Sequence, residues 1–181
     1  NLNKQGYGIF RTPNSVSATK EAVRASKGST KRQAEFLSKL DEIYADFDVR
    51  KEGDNTSEDQ REEMKKKLKT ALDAYCPPTY YIITKNGLQP HWIINELNID
   101  KATQDKYKNV IRGIIQWSIK HGSKGDPVFS VTQPLREPGF LHQKSGPYMI
   151  TREPGCGKIY TLDELKEFFW AEKVKKESKL E

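Results

Sequence analysis

The sequence has little that serves redox or membrane chemistry. Of its 181 residues two are cysteine, Cys76 and Cys156, and they form no CxxC pair. That excludes a disulfide framework and a cysteine zinc site, and it fits the reducing cytosol, so a cytoplasmic protein is expected. No apolar run approaches the ~18–20 residues that a membrane helix needs, so no membrane partner is expected. Histidine is scarce as well. His91, His121 and His142 stand far apart, so the pair of histidines flanking one apolar residue that a rolling-circle nicking enzyme needs is missing. Hydrophobic residues make up only 35%, which leaves an economical core, but aromatics at 10% are too many for a disordered chain. The chain opens on Asn1 rather than Met, which reads as a piece of a longer protein.

Charge is abundant, and its distribution is uneven. The net charge is +6. Residues 1–32 carry seven basic side chains and one acid, residues 33–63 four and eleven, and residues 64–181 twenty and thirteen. An acidic block thus lies between two basic ones. Basic surface fits a polyanionic partner, and an acidic patch inside a basic protein fits cations.

The periodicities mix strands and helices. Gly6–Phe10 reads as a short strand entering the loop Arg11-Thr-Pro-Asn14, and residues 18–40 read as mostly helical with a break near Gly28. Ile43–Val49 alternates apolar and polar residues, a strand pattern. After the polar loop Lys51–Asn55, Ser57 caps a helix to about Tyr75, with an apolar stripe at Met64, Leu68, Ala71, Leu72 and Tyr75. Pro77-Pro78 ends it. Thr79–Thr84 and Leu88–Leu97 flank Asn86-Gly87, a strong hairpin signal. A second helix spans about Thr103 to His121, residues 126–147 are rich in loops, and a strand follows at Tyr148–Arg152. Thr161-Leu-Asp-Glu164 is a capping-box pattern opening a last helix. The fold class expected is α+β with an antiparallel sheet.

Three segments carry chemistry. On a strand, Asp46 and Asp48 point to one face ~6.6 Å apart, with Phe47 between them facing the other way. Two ionised carboxylates this close repel unless a cation lies between them, and Mg²⁺ or Mn²⁺ prefers such oxygen donors; an exposed-face pair without metal is the alternative. In the hairpin, Gln89 and His91 share a face, and His91 either meets a phosphate or caps the sheet. Arg136-Glu-Pro-Gly-Phe-Leu-His-Gln-Lys144 gathers Arg136, His142 and Lys144 around a Pro-Gly bend, as a phosphate cradle or a solvated loop. Gly155-Cys-Gly-Lys158 only imitates a phosphate loop, because Arg152 stands where its first glycine belongs and Ile159 where its Ser/Thr belongs.

In order, these segments resemble the archaeo-eukaryotic primase superfamily, most of all the primase-polymerases of plasmids, phages and other mobile elements. NKQGYGIFRTPN is similar to the opening strand and Asn-bearing loop, and IYADFD to the first motif. PTYYIITKNGLQPHWIINEL is similar to the second-motif hairpin, and DPVFSVTQPLREPGFLHQKSGPYMI to the third-motif region. The resemblance spans about residues 3–152. It implies an RRM-like primase palm with a central antiparallel or mixed sheet flanked by helices. Residues 1–155 would be the catalytic core, and 156–181 a C-terminal helix or linker leading to further domains. The activity implied is templated nucleotidyl transfer by a DNA primase and/or DNA polymerase on a single-stranded DNA template or primer, with NTPs or dNTPs, in replication. A helicase domain or protein is an expected partner. Asp46 and Asp48 would hold Mg²⁺ or Mn²⁺. Gln89, His91, Arg136, His142 and Lys144 would bind nucleotide, and Arg11, Asn14 and Lys85 would contact DNA. Two positions depart from the pattern. Gln89 falls where many members carry histidine; His91, two residues on, is the substitute on offer, and Gln89 can itself donate a hydrogen bond to phosphate. The third acid is either Asp126 or absent, its slot falling on Ser130. The alternative expectation is therefore a catalytically weak or inactive nucleic-acid-binding replication module on the same fold.

Overall fold

The computed structural model describes residues 2–15, 37–49, 56–96, 99–124, 131, 133–143 and 147–170. Among these the chain runs through β1 (Phe10–Arg11), β2 (Leu40–Tyr44), β3 (Phe47–Asp48), α1 (Glu58–Tyr75), β4 (Tyr80–Thr84), β5 (Gly87–Glu96) and α2 (Lys101–Lys120). It continues through β6 (Leu135–Arg136), β7 (Leu141–His142), β8 (Tyr148–Met149), β9 (Thr151–Pro154), β10 (Ile159–Tyr160) and α3 (Leu162–Phe168). Most of the helix expected over 18–40 lies outside the described residues, and at its far end Leu40 already opens β2. Of the strand expected at 6–10 only Phe10 is extended into a ladder; Gly6 instead closes a 3-10 turn with a left-handed φ of 92°.

β5 is the organising strand. One edge pairs antiparallel with β2 and β3. The other pairs antiparallel with β4 and then, past the end of β4, parallel with β10, while β9 lines the outer edge of β4. The sheet is therefore mixed, as expected. Pro90 explains why β2 and β3 are separate strands. Ala45 N–H donates to the Pro90 carbonyl at 3.3 Å, but proline has no N–H to return, so the ladder is interrupted there.

The hairpin loop is Lys85-Asn86, with Thr84 paired to Gly87. It falls one residue earlier than the Asn-Gly signal suggests, because Gly87 serves a different purpose. A Cβ on Gly87 would lie 1.9 Å from the Phe47 carbonyl oxygen, so only glycine lets β3 approach this closely. Gly87→Ala is expected to lower the urea midpoint by an amount equivalent to about 1–3 kcal/mol, the scale of an overpacked site. An unchanged midpoint would show that β3 yields without cost.

Local chemistry fixes the helix ends. The Ser57 side chain accepts from Gln60 N–H at 3.2 Å while Gln60 reaches back to Ser57 N–H, a capping box, and Glu58 and Asp59 complement the dipole in the first turn. Asp100 caps α2 through Thr103 N–H at 2.8 Å, so the helix starts at Lys101, two residues before the expected start. Thr161 and Glu164 form the capping box foreseen for α3.

The helices cover one face of the sheet. Leu68 and Leu72 of α1, Tyr107, Val110, Ile111 and Ile114 of α2, and Leu162 and Leu165 of α3 meet Ile43, Phe47, Leu88 and Trp92 in one core. Each such side chain contributes ~1.5–3 kcal/mol by leaving water. β10 and α3 belong to this same core. No helix among the described residues is long and apolar enough to cross a membrane.

The opposite, open face is the one that no α-helix among the described residues covers; it carries polar side chains together with a smaller apolar group, Tyr80, Ile82 and Ile150. Two short ribbons lie beyond the sheet, β1 with β6 and β7 with β8. The first rests against the open face, where Leu135 packs on Tyr44.

Candidate functional site

Alternation along β2 and β3 sends Ile43, Ala45 and Phe47 into the helical core and leaves Glu42, Tyr44, Asp46 and Asp48 on the open face. Tyr44 pairs with His91 and Phe47 with Leu88 in one register, so Asp46 stands opposite Gln89 and Asp48 opposite Gly87. Residues directly opposite in such a ladder carry Cβ atoms about 4.5–5.5 Å apart. The backbone here is held firmly. The Asp48 carbonyl accepts from Lys124 N–H at 2.8 Å and from the Ser123 hydroxyl at 3.3 Å, and Val49 N–H donates to Asn86 at 2.9 Å. Both carboxylates are half-buried. Gln89 is 4% exposed, and its Oε1 has no hydrogen-bond partner among the described residues.

The β1–β6 ribbon adds a cation. Arg136 stacks on the Phe10 ring, 4.8 Å from its centroid. Burial lowers its pKa, and the charge of Asp46 opposes that shift, so guanidinium and carboxylate feel one another. Asp46, Asp48, Gln89 and Arg136 thus converge on one patch. Lys144, Asp126 and Ser130 lie outside the described residues. Among the described residues no group of three or more His, Cys, Asp or Glu converges as a metal cluster.

One group escaped sequence reasoning. Glu42, 6% exposed, accepts from Arg11 Nη1 at 2.5 Å, from His91 Nδ1 at 2.7 Å and from the Tyr80 hydroxyl, to which Arg11 Nη2 donates at 2.6 Å. Burial alone would push the Glu42 carboxyl up; the hydrogen bonds from His91 and Arg11 and the charge of Arg11 override it and hold the pKa at about 2. The available signal was parity, since Glu42 shares the face of Asp46 and Asp48.

The same network decides what the nearby candidates do. His91 is fully buried, its ring stacked between Tyr80 (4.6 Å between centroids) and Tyr44 (5.8 Å), with Nδ1 on Glu42. It does share a face with Gln89, but it is enclosed and acts on the open face only through Glu42. Arg11, expected at DNA, has its guanidinium on Glu42, on Tyr80 and, at 3.6 Å, on Glu137. Asn14, also expected at DNA, is 1% exposed and fully used. Nδ2 donates to Val131 O at 2.8 Å and Tyr107 Oη at 3.1 Å, and Oδ1 accepts from the N–H groups of Asp41 and Glu42. Lys85 is in the hairpin loop, and its carbonyl accepts from Lys65 Nζ at 3.3 Å. His142 lies on β7 opposite Tyr148, half-buried. Beside the network a cleft of about 500 Å³ is lined by Arg11, Lys39, Glu42, Tyr80, Glu137 and Arg152.

His91 gives the fold a pH dependence. Burial lowers its pKa, with the charges of Arg11 and Arg152 adding to the effect and Glu42 opposing it. The unfolded chain takes up a proton near pH ~6.5 that the folded protein refuses. Stability is therefore expected to fall as pH drops through that value, with a slope approaching about 1.4 kcal/mol per pH unit. Glu42 acts lower, its contribution being lost as pH falls from the ordinary carboxylate range toward about 2. Urea midpoints from about pH 7.5 to about pH 5 check this. His91→Gln should flatten the profile, and an unaltered slope in that variant would refute the assignment.

No family model matches the chain, and no curated protein matches it. A solved structure matches over 92% of this chain and 72% of its own, with a TM-score of 0.58, and gives the class: a primase-like α+β fold. That structure is the AEP domain of the cyanophage S-2L primase-polymerase (PrimPol), with 10% sequence identity to this chain.

Proposed function

We propose that this domain is a metal-dependent nucleotidyltransferase of the primase-polymerase kind, a DNA primase and/or DNA polymerase acting on a single-stranded template with NTPs or dNTPs. The observation that carries the reading is the placement of Asp46 and Asp48 side by side on the open face, with Gln89 opposite Asp46 and Arg136 within its field. The likeness to a primase-polymerase domain supports it. The donors fit a hard divalent cation: two carboxylates on one face, and a buried amide oxygen, Gln89 Oε1, with no partner among the described residues. Asp46 and Asp48 would hold Mg²⁺ or Mn²⁺, and Gln89 offers a third, neutral oxygen. When bound, the metal supplies Lewis-acid polarisation of a phosphoryl oxygen and neutralises its charge.

The chain's own residues do the positioning. Arg136, held flat by Phe10, presents a planar set of donors to phosphate oxygens. The helical core behind Phe47 keeps the two carboxylates from turning away. His142 and Lys144 continue the same segment, so they are proposed to extend the phosphate contacts. Templated incorporation by the wild-type domain with Mn²⁺ or Mg²⁺ is the test, and activity no higher than that of Asp46→Ala/Asp48→Ala would refute it.

A second reading, a catalytically weak or inactive nucleic-acid-binding replication module, is favoured by the enclosure of His91, which leaves neutral Gln89 as the hairpin's contribution. Titrating a nucleoside triphosphate with and without Mn²⁺ separates the two, because only the catalytic reading requires metal-dependent binding.

A further inference from the structure

The surface shared by the N-terminal segment and residues 135–143 displays exposed aromatic rings. Tyr7 is 60% exposed, Phe10 51% and Phe140 37%. The backbone that carries them is nevertheless fixed. Asn3, 6% exposed, donates from Nδ2 to the carbonyls of Tyr7 (2.9 Å) and Leu141 (3.0 Å), and its Oδ1 accepts from Leu141 N–H at 2.9 Å. Gln143 donates to the Asn3 carbonyl at 2.6 Å, and Glu137 N–H donates to the Ile9 carbonyl at 3.1 Å. Residues 2–11 and 135–143 therefore form one built layer, and the rings are held on it at little further entropic cost.

The surroundings of Phe10 are specific. The Arg136 guanidinium lies 4.8 Å from the ring centroid, and Gly8 backs both groups. A Cβ on Gly8 would fall 2.9 Å from ring atom Cε2 and 3.2 Å from Arg136 Nη1, so the missing side chain is what lets ring and guanidinium lie against the backbone. Arg136 in turn feels the charge of Asp46. Carboxylate, guanidinium and exposed ring follow one another in space, and Lys4 is exposed on the adjoining turn. An exposed aromatic face beside a cation suits a chain whose bases are unpaired and whose backbone is anionic. A duplex offers such a ring only its terminal base pair.

We propose that Phe10 is a stacking platform for an unpaired nucleobase of a single-stranded nucleic acid, its ring seated by Arg136. This rests on the nucleic-acid reading above and deepens it by naming the contact that prefers single strands. Tyr7 and Phe140, on the same layer, lie where further bases would pass. Because every base has a π-face, the contact tolerates any sequence.

The test is fluorescence polarisation of labelled oligo-dT and of an abasic strand of equal length, in EDTA, so that metal binding plays no part. Phe10→Ala should weaken oligo-dT binding roughly 5- to 150-fold, the scale of one lost stacking contact, and weaken abasic binding far less, since only the seat of Arg136 is then disturbed. Phe10→Tyr should restore it, and Phe10→Trp should report the contact directly through emission quenched by oligo-dT. Oligo-dT binding by Phe10→Ala within about twofold of wild type would overturn the platform alone. So would equal losses on both strands, which would give the ring a merely structural role. A wild-type domain that binds neither strand would overturn the nucleic-acid reading along with it.

Discussion

Asp46→Ala/Asp48→Ala is expected to reduce Mn²⁺-dependent nucleotide incorporation by at least ~100-fold, the scale on which removing a transition-state-stabilising group acts. Its fold should hardly change. Both side chains are half-buried on the open face, whereas Phe47 between them, fully buried, carries the core contact. The urea midpoint should therefore stay within about 1 kcal/mol of wild type, as for substitutions away from the core. Activity and stability together make the result decisive: loss of both would point to β3 collapsing, and loss of neither would remove the carboxylates from the mechanism. Mn²⁺ binding followed by electron paramagnetic resonance should disappear in the same variant, independently of any template. The two single substitutions should not add up to the double, because the residues act on one ion.

The second large effect concerns stability. Glu42→Ala is expected to cost about 3–5 kcal/mol in urea denaturation, because it removes one member of a buried charged cluster and leaves the others without their acceptor. Arg11, His91 and Tyr80 all point at that carboxylate. Lys101 and Asp105, 2.6 Å apart with largely exposed side chains, set the contrast; such pairs contribute ~0.2–1 kcal/mol. A Glu42→Ala effect no larger than that would show the cluster to be energetically ordinary. The variant should also lower incorporation without touching substrate. Arg11 ties β1 to the sheet, β1 pairs with β6, and β6 carries Arg136. Arg11→Ala/Glu42→Ala should recover part of the lost stability, since no buried charge is then left alone.

The legible parts of the sequence were those with local causes. Ser57 alone, and Thr161 with Glu164, announce helix starts because the capping bonds are made within three residues. Alternation in Ile43–Val49 put Asp46, Asp48 and Phe47 on their correct faces, since strand period is a property of backbone geometry. Other features depend on partners distant in the chain. Glu42 looked like any acid in an acidic block until Arg11 arrived from another strand. His91 had the right parity, but its burial is made by Tyr44 and Tyr80, one from each neighbouring strand. Gly87 read as a turn residue because nothing local reveals that the Phe47 carbonyl presses on it. β6 and β7, two residues each, are too short to show a period.

Asn14 has a consequence for the order of assembly. Its hydrogen bonds join residues 27, 28, 93 and 117 positions away in the chain. Such contacts stabilise nothing until the long loops between their partners have closed, and closing long loops is slow. The β4–β5 hairpin and the capped helices need no such closure. The layer bearing Phe10 and Arg136 is closed by a bond of the same kind, Asn3 to Leu141 across 138 positions; it is therefore expected to settle last and loosen first, so that the proposed strand binding should vanish before the sheet and helices themselves melt.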